Sequence, residues 1–265
     1  MSDDDSKDLK KFVDGSGFPL QVKIEGVINQ TPNWTVEGRE VFWENRIKDG
    51  FIDIVANHSK SQIKLFVEVK KKSGGAWIFL SHESKGKRDE RAITLTVNNQ
   101  NTQFEWNEII LPISTEKFSF CAVMGQKNPS NPLLERLGSE LIMSMEGYLL
   151  NQDLRTIRWN NEDNYGLPNF PSAISVIVTN TNLYKCYYDA ETVDLSDGVI
   201  KGDTDFEEVK YLAFTKPLWS KIEKSNKSPG YLSRYQINEQ QDRTVFVVSS
   251  NYLREFLIDL DPFQA

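Results

Sequence analysis

Cysteine and histidine are nearly absent from this chain, with two of each in 265 residues. Cys121 and Cys186 are too few for a disulfide framework or a cysteine-rich metal site, and their apolar surroundings suit reduced core thiols. His58 and His82 lie in polar stretches that read as solvent-exposed turns, so a structural zinc site is not expected. No apolar run approaches the roughly 20 residues that span a bilayer, and no membrane segment is expected. Positive charge is in short supply too: 31 Lys and Arg against 38 Asp and Glu leave a formal charge of −7. That balance excludes a general nucleic-acid coat, which works by neutralising phosphates. It leaves room for an enzyme with a local basic surface. The opening "MSDDDSKDLKK" is polar and acidic, unlike a secretory leader, so residues 1–15 are expected to be a disordered tail on a cytoplasmic protein. Phosphate-binding glycine loops, dinucleotide fingerprints, nucleophile elbows and internal repeats are all missing.

What is present is an alternation of β-forming runs and two helical stripes. Leu20, Ile24, Val27 and Ile28 recur at helical spacing after Ser16 and Pro19. "PNWTVEGREVFWEN" reads as a turn into a strand. "GFIDIVA" (50–56) and "IKLFVEVK" (63–70) are the clearest strands, joined by the polar turn "NHSKSQ". Residues 74–100 suit two more strands around a loop, and "FSFCAVMG" another. The strongest helix spans 131–152, with Asn131 as its N-cap and Leu134, Leu137, Leu141, Met145 and Leu149 on one stripe. Later strands are expected at "SAISVIVTN", at "LYKCYYD" paired with it, at "VKYLAF" and at "TVFVVSS". "NYLREFLIDL", capped by Asn251, reads as a closing helix. The expected fold is α/β, a mixed central sheet flanked by helices, in one domain over 16–265.

One triplet carries chemistry. Glu68-Val69-Lys70 closes a strand of large apolar residues, and alternation points Glu68 and Lys70 to the same side. A second Glu-x-Lys, at Glu208 and Lys210, opens a strand after polar residues and is not expected to be catalytic. Asp53 lies among apolar neighbours, where an Asp is disfavoured in a strand and costly to bury alone. The short turn after it makes its strand antiparallel to that of Glu68, which brings both carboxylates to one cleft. Two carboxylates with water and phosphate suffice for Mg²⁺. Lys70 can then orient or deprotonate an attacking water and counter phosphate charge. Glu25, on the first helix, is a candidate third acid. Lys71, Lys72, Lys85, Lys87, Arg88 and Arg91 form a basic run that suits either a solvated loop or a nucleic-acid contact. Aromatic residues in "NYGLPNFPS" suit a packed loop or base stacking.

The segment from 17 to 72 resembles the core of the PD-(D/E)xK, restriction-endonuclease-like nucleases, which runs helix, strand, strand with Asp, strand ending in (Asp/Glu)-x-Lys. The match aligns Asp53, Glu68 and Lys70 with the motif residues and covers about a fifth of the chain. Ile52 stands where the family name has Pro, and Gln21 occupies a helix position where an acid might be expected. The resemblance implies a restriction-endonuclease-like fold and Mg²⁺- or Mn²⁺-dependent cleavage of phosphodiesters in nucleic acid, with DNA the expected substrate and RNA left open. Asp53 and Glu68 would hold the metal; action as a homodimer or as a subunit of a larger assembly is left open. The alternative it leaves open is a catalytically silent module that binds nucleic acid or protein partners.

Overall fold

The computed structural model describes residues 3–45, 48–72, 74–81, 88–98, 103–126, 132–151, 172–218 and 242–263. In chain order the elements are helices α1 (Asp3–Gly15) and α2 (Phe18–Gln30), then strands β1 (Trp34–Glu44), β2 (Asp49–His58), β3 (Ile63–Lys70), β4 (Ala76–Ser81), β5 (Arg88–Asn98), β6 (Gln103–Phe118) and β7 (Phe120–Val123). Helix α3 (Leu133–Asn151) follows, then β8 (Ser172–Thr179), β9 (Asn182–Tyr188), β10 (Thr204–Val209), β11 (Tyr211–Pro217), β12 (Asp242–Ser249) and helix α4 (Leu253–Asp259).

Eight strands form one sheet in the order β1-β2-β3-β8-β12-β11-β6-β5, and β5 also pairs with β8. That last pairing, Leu95 with Ala173 and Thr96 with Ser172, closes β8, β12, β11, β6 and β5 into a five-stranded barrel. β1, β2 and β3 extend from it as a wing on the outer side of β8. A second sheet runs β10-β9-β4-β7. The protein is therefore mostly β, with four helices among the described residues, and the expected α/β sheet of restriction-endonuclease type is not its fold. The physical reason lies in β5 and β6. Their long hairpin folds back on β8 instead of leaving the sheet open. β6 is hard to see in the sequence, because Pro112 interrupts it and Asn107 and Glu108 separate Phe104 and Trp106 from the apolar run that starts at Ile109.

Two apolar cores lie on opposite faces of the shared strands. Ala173 and Ile177 of β8 enter the first, with Phe66, Trp77, Trp106 and the α3 stripe from Leu134 to Leu149. Ile174, Val176 and Val178 enter the second, with Ile24 and Ile28 of α2 and Leu253, Phe256 and Leu257 of α4. With both faces covered, every residue of β8 is buried, which explains its unbroken apolar run. Helix α3 approaches β1 closely at Gly147, where a Cβ would lie 2.7 Å from the Trp43 ring.

Several smaller expectations need correction. Residues 3–15 form helix α1 instead of a disordered tail, and every side chain described in it is exposed. β9 pairs with β4 and β10, not with β8. Helix α4 has Tyr252 at its N-cap, without a side-chain cap bond, in place of Asn251. His58 is buried (1% exposed), not solvated. It continues the Ile54–Ala56 side of β2 and sits edge-on to Trp34, 3.0 Å from Asp261 through Nε2. Its Nδ1 accepts from the backbone N–H of Ser61 at 2.8 Å, and burial pushes its pKa down. Both cysteines are free thiols. Among the described residues, no helix is long and apolar enough to cross a membrane. Asn131, His82 and the aromatic segment 164–171 lie outside the described residues.

Candidate functional site

The end of β3 meets the start of α2 and the middle of the β1–β2 hairpin, and here the acidic residues gather. The antiparallel β2–β3 ladder runs from Asn57–Lys64 to Ile54–Val67. One step further, Asp53 falls opposite Glu68. Its Oδ2 accepts the backbone N–H of Val69 at 2.6 Å, so a side chain takes over where a ladder carbonyl would act. On the far side β3 runs parallel to β8, with Glu68 beside Ile177 and Lys70 beside Thr179. Neighbours on both sides fix the end of β3, and Glu68 and Lys70 with it.

The chain rolls over at Asp53. Ile52 and Ile54 are two residues apart and on a regular strand would face one side, yet Ile52 enters the first core and Ile54 the second. The partner strand rolls at the same level. Register pairs Arg39 with Ile54 and Val41 with Ile52. Arg39 reaches Glu25 of α2, whereas Val41 packs against the first core. Between them Glu40, level with Asp53, has a left-handed backbone (φ 47°).

The electrostatics follow from this crowding. Burial and the nearby charges of Glu68 and Glu40 outweigh the Val69 hydrogen bond and Lys70, and the Asp53 carboxyl is pushed up to about 7. Lys70 Nζ ion-pairs with Glu68 at 2.8 Å. Gln21 of α2 donates through Nε2 to Glu40 Oε1 at 2.6 Å and to the Asp53 backbone carbonyl at 3.1 Å. The structure thus brings Asp53, Glu68 and Lys70 together. Glu25 is turned away: its carboxylate faces Arg39 at 3.4 Å. Glu40 stands in its place, and sequence reasoning missed it. In "EGREVFWE" nothing distinguishes it from Glu37 or Arg39, because the left-handed position lacks the Gly or Asn that would signal it.

The described members of the basic run lie on different elements. Lys71 is exposed at the end of β3, next to Asp14 of α1. Lys72 is engaged: its N–H donates to Asn180 and its Nζ to the Met124 carbonyl. Arg88 and Arg91 lie on β5, and Arg91 grips Asp89 through two side-chain N–H groups at 3.0 and 2.9 Å. Lys85 and Lys87 lie outside the described residues. The second triplet is unrelated to the site: Glu208 lies on exposed β10, and Lys210 pairs with Glu255 at 2.6 Å.

Among the described residues, no group of three or more His, Cys, Asp or Glu side chains is placed to hold a metal ion. Asp53 and Glu68 still fit Mg²⁺ as a donor set. Both are hard oxygen ligands, they repel each other when ionised, and Mg²⁺ commonly uses one or two carboxylates and fills its shell with water and phosphate. Comparison with protein-family models, curated proteins and solved structures finds no match to this chain.

Proposed function

We propose that this protein is a metal-dependent nuclease that hydrolyses phosphodiester bonds in DNA, with Asp53, Glu68 and Lys70 as its working residues. The reading rests on the side chains and not on the fold. The observation that carries it is Asp53, a carboxyl half-buried against Glu68 and Glu40 and pushed up to about 7 by that setting. A structural Asp in a strand would be expected to face a cation. Here the charges of two acids outweigh that of Lys70, an arrangement suited to a divalent cation.

Asp53 and Glu68 would hold Mg²⁺ or Mn²⁺, which when bound polarises a phosphoryl oxygen and acidifies water. The backbone N–H of Val69 fixes one Asp53 oxygen, and the other would be the metal's ligand. Lys70, anchored on Glu68, orients the attacking water and counters charge on the phosphate. Water oxygen bonds to phosphorus and gives up a proton to solvent as the bond to the leaving oxygen breaks, and that oxygen departs with a proton from solvent. Exposed Lys71, beside this cleft, is a contact for the nucleic-acid backbone.

The turning of Glu25 toward Arg39 favours a second reading, in which the same residues bind a cation and nucleic acid without cutting. The variant Lys70→Ala separates the two. Under the nuclease reading it lowers single-turnover cleavage of plasmid DNA by about 10² or more, while calorimetry finds Mn²⁺ affinity not weakened, because Glu68 loses a competing cation. Mn²⁺ binding by wild-type protein without any cleavage would support the second reading.

A further inference from the structure

We infer that Glu40 and Gln21 are positioning residues of this site, with Gln21 holding Glu40 and the Asp53 backbone in one hydrogen-bonded unit. The inference rests on the nuclease reading above. Its starting point is a residue in the wrong place. Among the described residues only Asn33 and Glu40 are non-glycine residues with positive φ. Asn33 sits in a turn and is of a type that tolerates this backbone. Glu40 is neither: it lies inside β1 between two regular register pairs.

The roll of the hairpin accounts for the backbone but not for the side chain. A glycine would take the same φ without strain, and Glu40 is exposed, so no core packing asks for a long side chain there. Its carboxylate accepts a hydrogen bond from the amide of Gln21, and the same nitrogen reaches the Asp53 carbonyl. The amide therefore spans the two strands where both roll over. With an acid at position 21, two carboxylates would oppose each other and the Asp53 carbonyl would lose its donor. An amide joins what an acid would drive apart. Strain kept at one residue, together with a polar link from it to the ligand-bearing peptide, is the pattern expected of a support for a functional group.

The test uses the full chain and three variants, Glu40→Gly, Glu40→Asn and Gln21→Ala. Without metal, Glu40→Gly is expected to raise Tm by roughly 2–4 °C, because strain is relieved. Glu40→Asn, which tolerates the same backbone, keeps the fold if the glycine variant proves too flexible. Each of the three is expected to weaken Mn²⁺ binding, measured by calorimetry, by about 10-fold or more. A purely structural role would raise Tm in the same way and leave Mn²⁺ affinity alone. Wild-type-like Mn²⁺ affinity in both Glu40 variants overturns this inference and spares the nuclease reading. Failure of the wild-type protein to bind Mn²⁺ overturns both.

Discussion

Asp53→Asn is expected to make the protein more stable at pH 8 and to reduce its cleavage to the level of the metal-free control. The two effects have one cause. In the folded chain the Asp53 carboxyl is pushed from 3.8 up to about 7, mainly by burial and then by Glu68. Between about pH 4 and pH 7 the folded state therefore holds a proton that the unfolded chain has released. Stability falls as pH rises through that window and stays reduced above it. The full penalty approaches about 4 kcal/mol if the whole shift is expressed. Asn keeps the shape, and through its side-chain oxygen it keeps the bond from Val69, but it cannot ionise. Thermal melts at pH 5.5 and pH 8 without metal should show wild-type Tm falling with pH and Asp53→Asn Tm nearly flat. Mn²⁺ should raise the wild-type Tm at pH 8 and leave the variant unmoved. A wild-type Tm that rises from pH 5.5 to pH 8 without metal would remove the electrostatic basis of the site.

Phe66→Ala should be among the most destabilising single changes in the wing, costing about 3–5 kcal/mol. Phe66 is fully buried at the centre of β3, two residues before Glu68, and meets the Tyr148 ring of α3 edge-on with centroids 5.6 Å apart. Truncation leaves a cavity between the strand and the helix, bounded by a sheet whose register on both sides resists collapse. Chemical denaturation should report the loss as a lower midpoint with an unchanged slope. Phe66→Leu should lose about half as much or less, because most of the volume is kept. The folded fraction of either variant should bind Mn²⁺ as wild type does, since neither touches the carboxylates. A large loss of Mn²⁺ affinity in Phe66→Leu would show that the site depends on core packing more than on its ligand side chains.

The local order helix, strand, strand, strand over residues 18–70 was legible because each element carries its own period. α2 has Ile24 and Ile28 one turn apart, and β3 is a short β-branched and aromatic run. The architecture was not legible, because barrel closure depends on the non-local pairing of Leu95 and Thr96 with Ala173 and Ser172. Periodicity within β5 or β8 contains no information about which edge each strand meets. The candidate site divides along the same line. Asp53 stood out as an acid among apolar residues, and Glu68 and Lys70 as the polar end of an apolar strand. Glu25 has only its place on the first helix to suggest it, and Arg39 on β1 takes it instead. Glu40 joined the site only through a backbone roll that no residue type announced. His58 is hidden in the sequence by its polar neighbours, although it lies on the buried side of β2.

The central claim is that Asp53 and Glu68 hold a divalent cation used to cut a phosphodiester bond. Its most direct test is incubation of the well-folded protein with supercoiled plasmid, single-stranded DNA and RNA in Mg²⁺, in Mn²⁺ and in EDTA, alongside Asp53→Asn and Glu68→Gln. The expected result is nicking or linearisation of the plasmid with Mg²⁺ or Mn²⁺, none in EDTA, and none with either variant. Intact substrates of all three kinds in both metals, or cleavage that survives both substitutions, would contradict it.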